Sequence, residues 1–329
     1  MKTGFPIELP KEILKELQPN VDVVLDIPKN YVLVTTTMYP SKDGKMAPDV
    51  ELRANLALET ARKARDLGFR IVVVDGGSDA SFSNELADLG AIVEKQNVDK
   101  YPGEHDMGRS RRQAMDIAGN QTGYKGIIWL EPEKHTFIKG LPENFAPRLY
   151  SEPDFSEASL AASRVYDGSA QIVVPRRLDT LASYPLQQQP GELFQNFTVM
   201  NAIQHVLRQR GVANPEEKAP YLDWCIGPRV ISNDVLDRFL NYRGTVTARD
   251  KEGTPTVIED RWALLFAPVW DAILEGVAVR GVPVNYIHPP EQTELESSSF
   301  AYDQKRCTQV EAMNKLVMGW VDEKLRKAA

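Results

Sequence analysis

Apolar positions along the chain fall into short continuous runs, separated by longer stretches with a helical repeat. Tyr31 to Thr37 is the first run, closed by Tyr39-Pro40. Phe69 to Val74 is the second, Ala91 to Val93 a short third, and Ile127-Ile128-Trp129-Leu130 the last of the first half. Runs of this length, rich in β-branched and aromatic residues, predict strands buried on both faces. Between the first two, Val50 to Leu67 places Leu52, Leu56, Ala57, Thr60, Ala64 and Leu67 on one face and stops at Gly68, which predicts a helix. A second helix is predicted around Asn84 to Leu89. The first half thus reads β-α-β-α-β-loop-helix-β, the pattern of a parallel sheet with right-handed crossovers.

The second half is less regular. Gln171 to Pro175 predicts a strand, and Glu192 to Arg210 a helix with Leu193, Phe197, Met200, Ile203 and Leu207 on its apolar face. Tyr221 to Val230 reads as an aromatic-rich turn and strand, and Asn233 to Leu240 as a helix. Glu259-Asp260 opens a further helix, Arg261 to Glu275, and Val282 to Ile287 is a late strand capped by His288-Pro289-Pro290. A polar loop, Glu291 to Ser299, and an amphipathic helix from about Gln304 to Lys327 end the chain. Residues 1–29, with a short helix candidate at Pro10 to Leu17, read as an extension packed on the core. There are no internal repeats or clear interdomain linkers, and the fold class is α/β with a mostly parallel sheet.

Composition narrows the function classes. The 329 residues are 42% hydrophobic and 26% charged, ordinary for a globular protein. A formal net charge of −7 argues against a general nucleic-acid binder. The two cysteines, Cys225 and Cys307, are too few and too far apart for a disulfide framework or a zinc pattern, and fit a reducing cytosol. Neither a signal peptide nor an apolar window long enough for a transmembrane segment is present. The expectation is a soluble, cytoplasmic protein.

The chemistry-bearing stretch is Glu131-Pro132-Glu133, directly after the buried run at 127–130. In open α/β sheets, ligands bind outside the carboxyl ends of the strands. Pro132 cannot join the ladder, so the strand should stop there. In an extended segment, i, i+2 spacing would send both carboxylates to the same side. Two such hard oxygen ligands suit Mg²⁺ or Mn²⁺, ions that usually reach a protein together with phosphates. The plainer alternative is a polar loop with a glutamate paired to Lys134.

Other stretches carry a chemical and a structural reading side by side. Asp75-Gly76-Gly77-Ser78-Asp79 offers Asp75 to a base or ribose; alone, it reads better as a tight turn with Asp79 or Ser81 as helix N-cap. His105 to Ala114 concentrates Arg109, Arg111 and Arg112 after Gly108 at a helix start, where a diphosphate would be well held; the alternative is a solvated basic face. His288 is a third metal ligand if the late strand lies beside the Glu131 strand, and otherwise a structural histidine. Glu259 and Asp260 suit helix capping, or a general base for an acceptor hydroxyl. Trp224, with Asp223, suits an acceptor pocket, although a tryptophan is more often core.

In order, Thr35-Thr36-Thr37, VVVDGGSDA, GRSRRQA and IIWLEPE resemble the family 2-like nucleotide-sugar glycosyltransferases of the GT-A fold, over roughly residues 30 to 290. That resemblance implies a Rossmann-like three-layer α/β fold, with a donor half at about 30–140, an acceptor half at about 141–290, and a C-terminal loop and helix at 291–329. It implies a hexosyl transfer from a UDP- or GDP-sugar to an unidentified hydroxyl acceptor. Thr36, Asp75, Gly108, Arg109 and Arg112 would hold the donor. Glu131, Glu133 and His288 would hold Mn²⁺ or Mg²⁺, and Asp260 or Glu259 would act as base. Asp223 and Trp224 would meet the acceptor. Glutamates replace both aspartates of the family's DxD, Gly76 stands where a second aspartate is common, and Gln113 replaces asparagine. These departures motivate the rival reading, an inactive module that binds a sugar nucleotide or a protein. A sugar-phosphate nucleotidyltransferase would want a glycine-rich basic loop after the first strand, which Thr37 to Pro40 does not supply. The loop at 291–299 is expected to close over the donor. The last helix is expected on the core, with a homodimer contact or a membrane surface as alternatives.

Overall fold

The computed structural model describes residues 21–97, 99–101, 105–138, 156–177, 181–219, 221–243, 247–249, 255–257, 260–284 and 286–326. Seven strands form one sheet: β1 (Tyr31–Thr37), β2 (Arg70–Asp75), β3 (Ile92–Lys95), β4 (Gly126–Trp129), β5 (Ile172–Arg177), β6 (Arg229–Ser232) and β7 (Val279–Val284). Their spatial order is β3-β2-β1-β4-β6-β5-β7. Every pairing is parallel except the two made by β6, so six strands run one way and β6 runs against them.

Alternate strand residues part to opposite faces. Val32, Val34, Val72, Val74, Ile127 and Trp129 meet Ala114, Met115 and Ala118 of helix α2 (Asp106–Gly119). Leu33, Ile71, Val73 and Ile128 meet Ala54, Ala57, Ala61 and Ala64 of helix α1 (Pro48–Asp66). Both faces are covered, which is why the strands read as continuous apolar runs. Each fully buried Val, Leu or Ile contributes about 1.5–3 kcal/mol. The result is the expected three-layer α/β architecture. β4 pairs directly with β6, so one sheet runs through both halves of the chain.

Three expectations in the second half are corrected. Helix α3 (Gln189–Gln209) buries Ile203 and Leu207 but leaves Leu193 and Phe197 41% and 52% exposed. Its first turns face inward through Glu192, Gln195 and Asn196, because buried polar partners wait there. The single helix expected at 261–275 is two, Asp260–Ala263 and Ala267–Leu274, because Pro268 is tolerated only in a first turn. The polar loop expected at 291–299 is instead helix α4 (Pro290–Ser297), with a proline in its first turn and Glu296 buried. Helix α5 (Phe300–Arg326) follows and packs along α3, with Met313, Leu316, Val317 and Trp320 in the core. The helix candidate at Pro10 to Leu17 lies outside the described residues.

Candidate functional site

From β1 the sheet grows outward through β2 to β3, and then β4 is laid on the other side of β1. The strand order therefore reverses between β1 and β4, and a crevice opens outside the carboxyl ends at such a point. Thr36 and Thr37 reach it from β1, Asp75 to Ser78 from β2, and Glu131 from the end of β4. Because β6 runs in reverse, it begins there, with Gly227-Pro228 before it. Arg177 ends β5, and His288 lies four residues beyond Val284, the end of β7.

The Asp75 carboxylate is occupied by its own turn. It accepts from Thr37 Oγ1 at 2.8 Å, from the amides of Gly77 and Ser78 at 3.2 and 3.0 Å, and from the Ser78 hydroxyl. Asp79 caps the next helix by accepting from the Ser81 amide at 2.8 Å. The structural reading of this stretch holds: Asp75 shapes the wall of the crevice. Thr36 is half-buried at its mouth.

Glu131 and Glu133 do not lean to the same side. The chain is not extended there but turns at Pro132-Glu133, so the alternation rule of a strand does not apply. Glu131 Oε2 lies 3.1 Å from Lys134 Nζ, and its carboxylate packs on Gly227, where a Cβ would overlap it. Gly227 holds φ at +92°, a conformation that suits glycine. Burial alone would raise the Glu131 carboxyl, but the Lys134 ammonium outweighs it and holds it below the usual range. Glu133 turns toward α1 and β1. It accepts from Tyr39 OH at 2.9 Å and lies 3.8 Å from Arg53 Nη1. Burial keeps this carboxyl above its usual range in spite of Arg53.

His288 shares the neighbourhood. Its ring packs on Tyr184 at 4.3 Å, and Tyr184 and Tyr286 flank the Lys134 ammonium. Its Nδ1 pairs with Thr293 Oγ1 at 2.8 Å, and Nε2 faces Glu296 Oε2 at 3.7 Å. Burial first, and then the cations Lys134, Arg306 and Arg177, hold its pKa well below the ordinary value, so the ring is neutral. Glu296 in turn accepts from Arg53 Nη2 at 3.2 Å.

The basic helix start at α2 is largely spoken for. Gly108 is buried, and Arg112, 1% exposed, donates through Nε to the Tyr242 carbonyl at 2.8 Å. Arg111 lies over the Trp129 ring at 5.4 Å and donates to the Arg261 carbonyl. Helical geometry turns both side chains inward, so Arg112 ties elements together where a donor contact was expected. Arg109 alone of the three is half-exposed. Gln113 bridges the Lys95 carbonyl and the Asn97 amide.

The expected acceptor pair is also structural. Asp223 takes both ends of the Arg177 guanidinium, at 2.5 and 2.6 Å, and accepts from Asn196 at 3.2 Å. Burial would raise its carboxyl, but Arg177 holds it below the usual range. Arg177 also pairs with Glu192 at 2.7 Å. Trp224 is 1% exposed and packs edge-on against Trp270, so no sugar can stack on it. Glu259 lies outside the described residues, and Asp260 opens the short helix that ends at Ala263.

The residues expected to hold a metal do not fit one as arranged. Glu131 and Glu133 are turned to different walls, each facing a cation, and His288 is bonded through Nδ1 to Thr293 with Nε2 turned toward Glu296. Among the described residues, no three of His, Cys, Asp and Glu converge as a ligand set. The side chains that sequence reasoning missed are Arg53, Arg177, Tyr184 and Tyr286; Lys134 entered only as the glutamates' structural partner. Arg176-Arg177 after an apolar run was the same kind of signal as Glu131-Pro132-Glu133. Arg53 sits on the polar side of an amphipathic helix and carried none.

No family model matches the sequence, and no curated protein matches it. Solved structures resemble its course. Among them is glucosyl-3-phosphoglycerate synthase of M. tuberculosis, at 12% identity and a TM-score of 0.45, covering 92% of this chain and 86% of that one. The same enzyme with Mn²⁺, UDP and glucosyl-3-phosphoglycerate matches at 11% identity and a TM-score of 0.42, covering 94% and 86%. A mycobacterial protein matches at 12% and 0.44, covering 90% and 77%. At these scores the likeness describes overall course only. Among the described residues, no helix is long and apolar enough to cross a membrane.

Proposed function

We propose that this chain transfers a glycosyl group from a nucleotide-diphospho-sugar to a hydroxyl acceptor. The observation that carries this reading is the position of Glu131-Pro132-Glu133 at the carboxyl end of β4, on the switch point of the sheet, with Arg53 and Lys134 beside it. A crevice of this kind, lined by paired cations, suits the diphosphate of such a donor. UDP- and GDP-sugars are the donors to test, and a hexose is the group to expect.

In the reaction, the acceptor oxygen bonds to the anomeric carbon as the bond from that carbon to the diphosphate breaks. The diphosphate leaves with the bonding electrons, and the acceptor proton passes to a base. Charge therefore builds on the leaving group, and fixed positive charge there lowers the barrier. Asp260 is the base to test. The Arg111 bond to the Arg261 carbonyl, together with its place over Trp129, holds the backbone beside Asp260 near the end of β4.

The test is a thermal-shift and turnover screen of UDP-, GDP- and ADP-sugars, each with Mn²⁺, Mg²⁺ or EDTA. A ligand of the native state alone at a hundredfold excess over its Kd stabilises by about 2.7 kcal/mol, a visible shift. A shift with one nucleotide family and release of its nucleoside diphosphate support the reading. A shift without turnover makes the chain a binding module, and no shift with any of them overturns the proposal.

A further inference from the structure

The carboxylates that would hold a metal already face fixed cations, and this arrangement carries an inference that rests on the transfer reading above. We infer that Lys134 and Arg53 take the place of a divalent ion in neutralising the donor diphosphate, so that the donor binds and reacts without metal.

The geometry is specific. Lys134 is rooted one residue before the short helix His135–Ile138, and its side chain is 10% exposed. Its ammonium has three N–H donors. One faces Glu131 Oε2 at 3.1 Å and one the Tyr286 hydroxyl at 3.2 Å, with the Tyr286 ring 4.7 Å below. Among the described residues no further oxygen accepts from the ammonium, which leaves its third N–H for a ligand oxygen. Glu131 and Tyr286 hold the cation in place before any ligand arrives, as preorganised stabilisation requires.

Arg53 stands at the other wall, between Glu133 and Glu296. Arg306 approaches the same cluster from α5, and the exposed Lys305 lies at its rim. Lys134, Arg53 and Arg306 thus stand among the carboxylates Glu131, Glu133, Glu192 and Glu296. Glu131 and Glu133 already face Lys134 and Arg53, so a divalent ion would have to displace a fixed cation, whereas a diphosphate oxygen would meet one. His288 points the same way, since both ring nitrogens are directed at groups of α4.

The experiment measures UDP and GDP binding to the full chain by calorimetry, in EDTA and in Mn²⁺, together with Mn²⁺ binding to the nucleotide-free chain by electron paramagnetic resonance. The expected result is equal nucleotide affinity in EDTA and Mn²⁺, with no stoichiometric Mn²⁺ binding. Lys134→Met should weaken nucleotide binding in EDTA by about tenfold or more, and Lys134→Arg should retain it. Circular dichroism of both variants checks the fold. Nucleotide binding that requires Mn²⁺, or one tight Mn²⁺ per chain, overturns the inference and leaves the transfer reading standing. Binding in EDTA that Lys134→Met leaves unchanged also overturns it. Binding of neither nucleotide under either condition overturns the transfer reading, and this inference with it.

Discussion

Arg53 Nη2 lies 3.2 Å from Glu296 Oε1, joining helix α1 to helix α4 across 243 residues of sequence. Glu296 is 2% exposed, and its other oxygen faces the neutral His288 ring. This contact ties α4 to α1. Glu296→Ala should leave Arg53 without its closest partner and destabilise the chain by about 1–3 kcal/mol. Limited proteolysis should then cut within 286–300 faster than in the wild type. An unchanged cleavage rate would mean that α4 is held by other contacts.

Arg177 is the buried counterpart, with Asp223 and Glu192 both leaning on one guanidinium. Removing a cation from such a site leaves two charges without solvent, so Arg177→Met should cost about 3–5 kcal/mol in urea unfolding. Asp223→Asn should cost less, since Arg177 keeps Glu192. Equal losses would show that the pair with Glu192 contributes little.

Acid should destabilise the chain through buried histidines. Burial, and then the nearby Lys63 ammonium, lower His135 to about 4 from 6.5, and Lys63 Nζ lies 2.8 Å from its Nδ1. The folded pKa is depressed, so the unfolded chain binds more protons between these values. The contribution is present above about pH 6.5 and is lost as pH falls toward 4; it is on the order of 3 kcal/mol. His135→Asn keeps an acceptor for Lys63 and should flatten the dependence of the urea midpoint over that window. A slope equal to the wild type's would place the titration elsewhere, with His288 the next group to replace.

Gly227→Ala tests the packing of Glu131 on the turn before β6. The residue holds φ +92°, and a Cβ there would overlap the Glu131 carboxylate. A loss of about 1–3 kcal/mol is expected from the backbone alone. Displacement of Glu131 should also free Lys134 and change nucleoside diphosphate binding in EDTA. Full stability and unchanged binding would contradict the geometry.

Much of the first half was legible in the residues because its signals are local. β1 runs from Tyr31 to Thr37, where the apolar run predicts it, and β4 stops before Glu131-Pro132-Glu133 as a proline requires. The same locality explains Asp79, which caps its helix in the way a Ser/Asp turn predicts. The second half misled where a side chain's fate depends on distant partners. Leu193 and Phe197 carry the helical repeat of a buried face, yet Arg177 and Asp223 draw the opposite side of the helix inward.

The amino-acid order by itself determined that this is an α/β protein with carboxylates at the end of a buried strand. Strand period, proline and glycine act on their immediate neighbours, and no tertiary contact is needed to read them. Only the tertiary structure decided what those carboxylates meet. Arg53, itself held by Glu296 of a helix far away in sequence, approaches Glu133, and Lys134 is held by the hydroxyl of Tyr286, 152 residues later and just beyond β7. Charge pairing depends on distance in space and on burial, and both are set by the sheet order that brings the end of β4, the start of β6 and the end of β7 to the same side of the sheet.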